Sequence, residues 1–161
     1  MTPGRARGPS RDASAGVGEG FRERFEQGLG LRLDGFQRQA MDALDRGESV
    51  LVSAPTGSGK TLIADYAAAR ALESGGKAFY TTPIKALSNQ KFVELSVRYG
   101  EERVGLLTGD VSHQPHAPIV VMTTEVLRNM LFARSSILDD LEVVVLDEVH
   151  YLQDPYRGSV W

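Results

Sequence analysis

The sequence predicts an α/β domain, a parallel sheet with helices on both faces, and three observations carry that expectation. Five short runs, 50–53, 78–81, 104–107, 119–122 and 143–146, are nearly continuous in Val, Ile, Leu and aromatic residues, as strands covered on both faces are. Helical patterns lie between several of them, and strand, helix, strand at that rhythm builds right-handed crossovers in a parallel sheet. The third is the segment Ala54-Pro-Thr-Gly-Ser-Gly-Lys-Thr61, which runs out of the first apolar stretch and into an apolar helix start.

Residues 1–20 are rich in Gly, Ala, Ser, Pro and Arg and almost lack large apolar side chains. They cannot bury enough surface to offset their ordering entropy and read as a disordered tail. The domain is expected over 21–161. Helices are expected at 21–27 and 34–46; in the second, Asp34 is the N-cap, Phe36, Ala40, Met41 and Leu44 recur at helical spacing, and Gly47 is the stop. Further helices follow at 61–74, at 84–99 with Ile84, Leu87, Phe92 and Leu95 on one side, and at 125–133.

A chain of 161 residues without a long apolar stretch fits one domain that does not span a membrane. It contains no cysteine, which excludes disulfides, thiol catalysis and cysteine-held metals and makes a cytoplasmic address the expectation. His113, His116 and His150 lack metal-ligand spacing. The net charge of −3 shows no basic excess, so any nucleic acid must be held locally.

Pro55, Thr56, Gly57, Ser58 and Gly59 form the expected phosphate-cradling turn, followed by Lys60 and Thr61. Consecutive N–H groups at a helix start converge on an anion with the helix dipole behind them. The glycines allow the curl, Lys60 reaches the β- and γ-phosphates, and the Thr61 hydroxyl binds Mg²⁺. Ala54 stands where the strict motif has glycine. The apolar run 143–146 then delivers Asp147 and Glu148 to the carboxyl edge of the sheet, where ligands of such folds bind. Asp147 is suited to hold Mg²⁺ and Glu148 to polarise a water. Adjacent strand residues point to opposite faces, so both serve one site only if the strand ends after Leu146. His150 lies beside them, either as a surface histidine or as a reporter of nucleotide state.

Phe36-Gln37, the 54–61 loop, Thr82-Pro-Ile-Lys-Ala-Leu-Ser-Asn-Gln-Lys91, Thr108-Gly-Asp110, Thr123-Thr-Glu125 and Asp147-Glu-Val-His150 resemble, in order and spacing, the first half of a superfamily-two helicase. The nearest likeness is to the Ski-like, DEVH-box RNA helicases, and 151–161 is similar to that branch too. The resemblance covers roughly 31–161. It implies a RecA-like ATP-binding domain using ATP and Mg²⁺, with Lys60, Asp147, Glu148 and His150 in the catalytic machinery. It also implies that Gln37 reads the adenine edge, where the residue pattern alone reads as an exposed polar side chain. An upstream aromatic, Phe25 or Phe21, either stacks on the base or packs in the core.

The same resemblance puts Thr82, Pro83, Lys85, Gly109, Thr123, Thr124 and Arg128 along a single-stranded RNA path. Short hydroxyls and a few cations can grip a sugar-phosphate backbone without reading bases. Thr123 or Thr124 could instead simply cap the helix that begins near Glu125. The relatives in this family work with RNA-degrading machinery, a partner class implied by resemblance only. A Ser-Ala-Thr coupling motif, its strand and a second RecA-like domain do not occur in the 161 residues, so the chain reads as a C-terminally truncated first domain with little turnover of its own. Two alternatives stay open: a DNA helicase or translocase of the same superfamily, and a non-catalytic ATP- and RNA-binding module.

Overall fold

The computed structural model describes residues 18–30 and 32–153, which fall into two compact units, 1–51 and 52–161. The tail expected over 1–17 and the likeness at 154–161 lie outside the described residues. The first unit holds α1 (Gly18–Leu29) and α2 (Gly35–Asp45). Helix α1 starts three residues before the expected domain boundary at 21, so residues 18–20 are helical and not tail. Arg22 ties the two helices together: it donates to Glu26 at 2.9 Å, to Asp42, and to Asp45 at 3.4 Å. Asp34 caps α2 as expected, and the Gln37 side chain reaches back to accept from the Asp34 N–H at 2.8 Å. Gly47 follows the helix at φ 74°, the left-handed conformation that suits glycine.

The second unit contains α3 (Lys60–Glu73), β1 (Lys77–Thr82), α4 (Lys85–Tyr99), β2 (Val104–Leu107), β3 (Ser112–His113), β4 (Ile119–Thr123), α5 (Thr124–Ala133) and β5 (Leu141–Leu146). The strand order is β3-β2-β4-β1-β5, with every pairing parallel except the short β2–β3 return. Side chains alternate across the strands and build a core on each face. Ala78, Tyr80, Val104, Leu106, Ile119 and Val121 pack with Ala68 and Ala71 of α3 and Leu95 of α4. Phe79, Leu107, Val120 and Met122 pack on the other face with Leu127 and Met130 of α5. The doubly covered sheet expected from the apolar runs is therefore present.

Two local expectations are corrected, and one strand is new. Residues 50–53 form no strand, and Leu51 is 84% exposed; apolar β-branched composition supplies a propensity, but a strand exists only where a neighbour completes its ladder. Strand β5 is not buried on both faces: Val143 and Val145 pack on the α3–α4 core, whereas Val144 and Leu146 are exposed. It pairs with β1 alone among the described strands, and its Val144 and Leu146 are left exposed among the described residues. Strand β3 was not anticipated, because two residues carry no periodic signal. Gly105 shows why β2 accepts it: a Cβ there would lie 2.2 Å from the Gln114 carbonyl oxygen, so only glycine admits the returning backbone.

Candidate nucleotide site

Helix α3 fixes where Lys60 lies. It packs on β1 and β5 and joins β1 through the turn 74–76, where Gly75 adopts φ 80° and the Gly76 N–H closes onto the Ala71 carbonyl at 2.9 Å. The helix therefore runs antiparallel to β1. Its 14 residues rise about 21 Å, and the six of β1 span about 20 Å. The start of α3 is consequently level with the carboxyl end of β1, where Thr82 sits. Strand β5 is parallel to β1 with Thr81 opposite Leu146, and the Asp147 N–H continues the ladder to the Thr81 carbonyl at 3.0 Å. Topology thus brings the Lys60 end of α3 and the Asp147 end of β5 to one rim of the sheet.

The loop before α3 has the conformation expected of a phosphate cradle. Gly57 and Gly59 adopt φ 80° and 83°, a region L side chains avoid. The Lys60 ammonium bends back over the loop, donating to the Ala54 carbonyl and to that of Pro55 at 2.8 Å. The Ser58 hydroxyl is buried and has no hydrogen-bond partner among the described residues. A buried hydroxyl without a partner among the described residues, two left-handed glycines and the first turn of a helix suit an anion with several acceptor oxygens. The donor set therefore fits a nucleotide polyphosphate.

At the facing carboxylates, β5 ends at Leu146 and Glu148 turns into the left-handed region at φ 56°. That turn breaks strand alternation and frees Asp147 and Glu148 from opposite faces. Left-handed backbone outside glycine costs of the order of 1 kcal/mol and tends to occur at functional positions. The Asp147 carboxylate is held at both oxygens: Oδ1 accepts from the Glu148 N–H at 2.8 Å, and Oδ2 from the Tyr80 hydroxyl at 2.6 Å. His150 Nδ1 lies 3.0 Å from Glu148 Oε2. Groups of three or more His, Cys, Asp or Glu able to hold a metal do not occur among the described residues. A cation here would draw on few protein ligands, as Mg²⁺ bound mainly by phosphate and water does.

The remaining expected residues divide. Gln37 is buried at 6% exposure with its carbonyl on the Asp34 N–H, contrary to an exposed polar position. Phe21 is buried, and its ring centroid lies 6.1 Å from that of Phe25 within α1. Thr82 and Thr124, expected along the RNA path, are both buried. Thr82 is 2% exposed, with its Oγ1 on the Ile84 carbonyl at 3.1 Å and the Ser88 hydroxyl at 2.7 Å. The Thr124 hydroxyl donates to the Thr82 carbonyl at 3.3 Å. Thr82, the last residue of β1, braces the start of α4, and Thr124, the first residue of α5, ties that helix start to the end of β1. Thr123 occupies the N-cap position of α5 without capping through its side chain. Pro83, Thr123 and Arg128 are half-buried, and Gly109 and Lys85 are exposed. Lys85 pairs with Asp110, which also accepts from Thr108 at 2.9 Å. Those two donors hold the Asp110 carboxyl below its usual range, the Lys85 hydrogen bond most.

Sequence reasoning missed Tyr80. The available signal was a polar-tipped aromatic inside a buried strand, since a buried phenol needs a partner. Lys91 pairs with Glu94 at 2.8 Å and lies 5.1 Å from the Tyr80 ring centroid.

The chain is similar to several known helicases. The probable helicase HelY of Mycobacterium tuberculosis is 58% identical over 139 residues, 86% of this chain and 15% of that protein. The ATP-dependent RNA helicase mtr4 of Schizosaccharomyces pombe is 50% identical over 129 residues, covering 80% and 11%. The antiviral helicase SKI2 of Saccharomyces cerevisiae is 48% identical over 131 residues, covering 81% and 10%. The chain thus spans only about a tenth to a seventh of the length of these relatives. Two solved structures share the fold at 24% identity. One is a hypothetical ATP-dependent RNA helicase from Sulfolobus tokodaii, with a TM-score of 0.63 over 88% of this chain and 45% of that one. The other is the DUF1998 helicase MrfA bound to DNA and AMPPNP, with a TM-score of 0.65 over 91% and 22%. The DEAD/DEAH box helicase family profile matches residues 34–161. A glycine loop and an acidic pair on one rim of a RecA-like sheet, with that match over most of its length, make the chain a member of the DEAD/DEAH box helicase family.

Proposed function

We propose that this chain is the ATP-binding lobe of an ATP-dependent RNA helicase, in which ATP hydrolysis drives movement along single-stranded RNA. The observation that carries the reading is the convergence of the Lys60 end of α3 and the Asp147–Glu148 end of β5 on one edge of the sheet. Lys60 would exchange the Ala54 and Pro55 carbonyls for phosphate oxygens, with residues 55–59 supplying the cradle. Thr61 and Asp147 would hold the magnesium that neutralises developing phosphate charge. Glu148 would take a proton from the attacking water, and His150, 3.0 Å from its carboxylate, would report that event.

Gln37 would read the adenine edge through its amide. Pro83, Lys85, Gly109, Thr123 and Arg128 would meet the RNA backbone, whereas Thr82 and Thr124 would act by fixing the helix starts beneath it. The similarity to mtr4, an ATP-dependent RNA helicase by name, favours RNA over DNA. A second RecA-like domain and RNA-decay proteins are the partners this reading implies. The cysteine-free composition supports a cytoplasmic location.

The test is nucleotide binding by Lys60→Ala together with ATPase stimulation of the full-length protein by RNA and by DNA of equal length. Loss of binding with stimulation by RNA is expected. Normal binding by Lys60→Ala would remove the site, and stimulation by DNA alone would make the protein a DNA translocase.

A further inference from the structure

We propose that Tyr80 is a positioning residue for the nucleotide site, its phenol holding the Asp147 carboxylate in the orientation that receives magnesium-bound triphosphate. The inference rests on the nucleotide-site reading above. Tyr80 lies in the middle of β1, 3% exposed, among Ala68, Leu95 and Val121. Its register partner is Val145, and Asp147, two residues on and just past the end of β5, still continues the ladder to Thr81 and falls on the same face of the sheet. The phenol reaches along that face to Oδ2 at 2.6 Å while the Glu148 N–H holds Oδ1 at 2.8 Å.

One bond on each oxygen fixes both the tilt and the rotation of the carboxylate. A carboxylate has about four lone-pair sites, so two remain for a cation's water shell. An ionised carboxylate only accepts, so the phenol is the donor in this bond. Lys91 lies over the ring face at 5.1 Å, drawing electron density from it and favouring donation. Core packing explains the ring but not the contact of its one polar atom with the carboxylate at the rim. Partners of this kind, one shell out from a metal, tune affinity without touching the ion.

Tyr80→Phe keeps the ring and removes the bond. In the full-length protein, binding of a fluorescent ATP analogue is titrated with Mg²⁺, alongside metal-free analogue binding and the thermal unfolding midpoint. The substitution is expected to raise the Mg²⁺ concentration for half-maximal binding by about 10-fold or more, with metal-free binding unchanged. In an Asp147→Asn background the same substitution should add nothing to the Mg²⁺ response, because the two residues act as one unit. An unchanged Mg²⁺ midpoint, an equal loss without metal, or an additive effect beside Asp147→Asn would overturn the assignment. Failure of the unsubstituted protein to bind the analogue at all would instead overturn the nucleotide site, and the role of Tyr80 with it.

Discussion

Helices α3 and α4 are joined by an ion pair whose two halves sit in different surroundings. The Asp65 side chain is 4% exposed and that of Arg98 is 49% exposed. Asp65 Oδ1 has no hydrogen-bond partner among the described residues. Burial pushes the Asp65 carboxyl above its ordinary range even though Arg98 pulls the other way. Desolvation therefore outweighs attraction at this site, the regime in which a buried pair stabilises little but is damaging to break. Removing one partner of a buried pair costs about 3–5 kcal/mol, and the half-exposed guanidinium places Arg98→Ala at the lower end, about 3 kcal/mol. Replacing both residues by apolar ones, as Asp65→Leu with Arg98→Met, should range from neutral to about 4 kcal/mol more stable.

The pH dependence has a definite sign. An acid whose folded pKa lies above its unfolded value contributes stability that is complete below the unfolded value and is lost as pH rises through the folded one. Arg98→Ala removes the main opposing influences, so Asp65 holds its proton more tightly still, and the penalty relative to the parent should shrink between neutral pH and about pH 4. Urea unfolding of the parent, the single and the double variants at both pH values measures all of this. An Arg98→Ala penalty below about 0.5 kcal/mol, within the range of ordinary surface substitutions, would refute the reasoning. So would a double variant less stable than Arg98→Ala alone.

Other substitutions address separate parts of the molecule. Gly105→Ala drives a Cβ to 2.2 Å from the Gln114 carbonyl oxygen, and should cost about 1–3 kcal/mol in urea unfolding as β3 is pushed off β2; no loss would mean that β3 does not approach so closely. Asp110→Asn releases Lys85 from its carboxylate, and should tighten single-stranded RNA binding and steepen the log–log salt slope by about 0.7 for one added phosphate contact; an unchanged slope would mean that Lys85 does not reach the backbone. Glu148→Gln should leave ATP binding intact and slow hydrolysis by the full-length protein on the order of 10²–10⁴-fold, whereas a normal rate would take the general-base role from Glu148.

The parts of the fold legible in the sequence were those with strong local signals. Runs such as 119–122 and 78–81 had to be strands with both faces covered, and Asp34 and Gly47 marked the ends of α2 from their own chemistry. The glycine loop and the acidic pair were equally legible, because few residue types permit those conformations and charges there. Pairing was the hidden variable. Residues 50–53 have the composition of a strand but lack a ladder, β3 is too short to show a period, and the exposure of Val144 and Leu146 follows from what covers β5. Side-chain partners across the sheet were hidden for the same reason: the bond from Tyr80 to Asp147 and the burial of Thr82 depend on register, which no single segment encodes. The left-handed turn at Glu148 was also unannounced, since glutamate rarely adopts it.

In the proposed site the glycine loop and the two carboxylates meet around one magnesium-bound polyphosphate. A crystal structure of the protein with Mg²⁺ and a non-hydrolysable ATP analogue tests this most directly. Lys60 is expected to have left the Ala54 and Pro55 carbonyls for the phosphates, with the Thr61 hydroxyl and the Asp147 carboxylate facing the same ion. Nucleotide held away from the loop, or an ion bound there with Asp147 turned from it, would contradict the account.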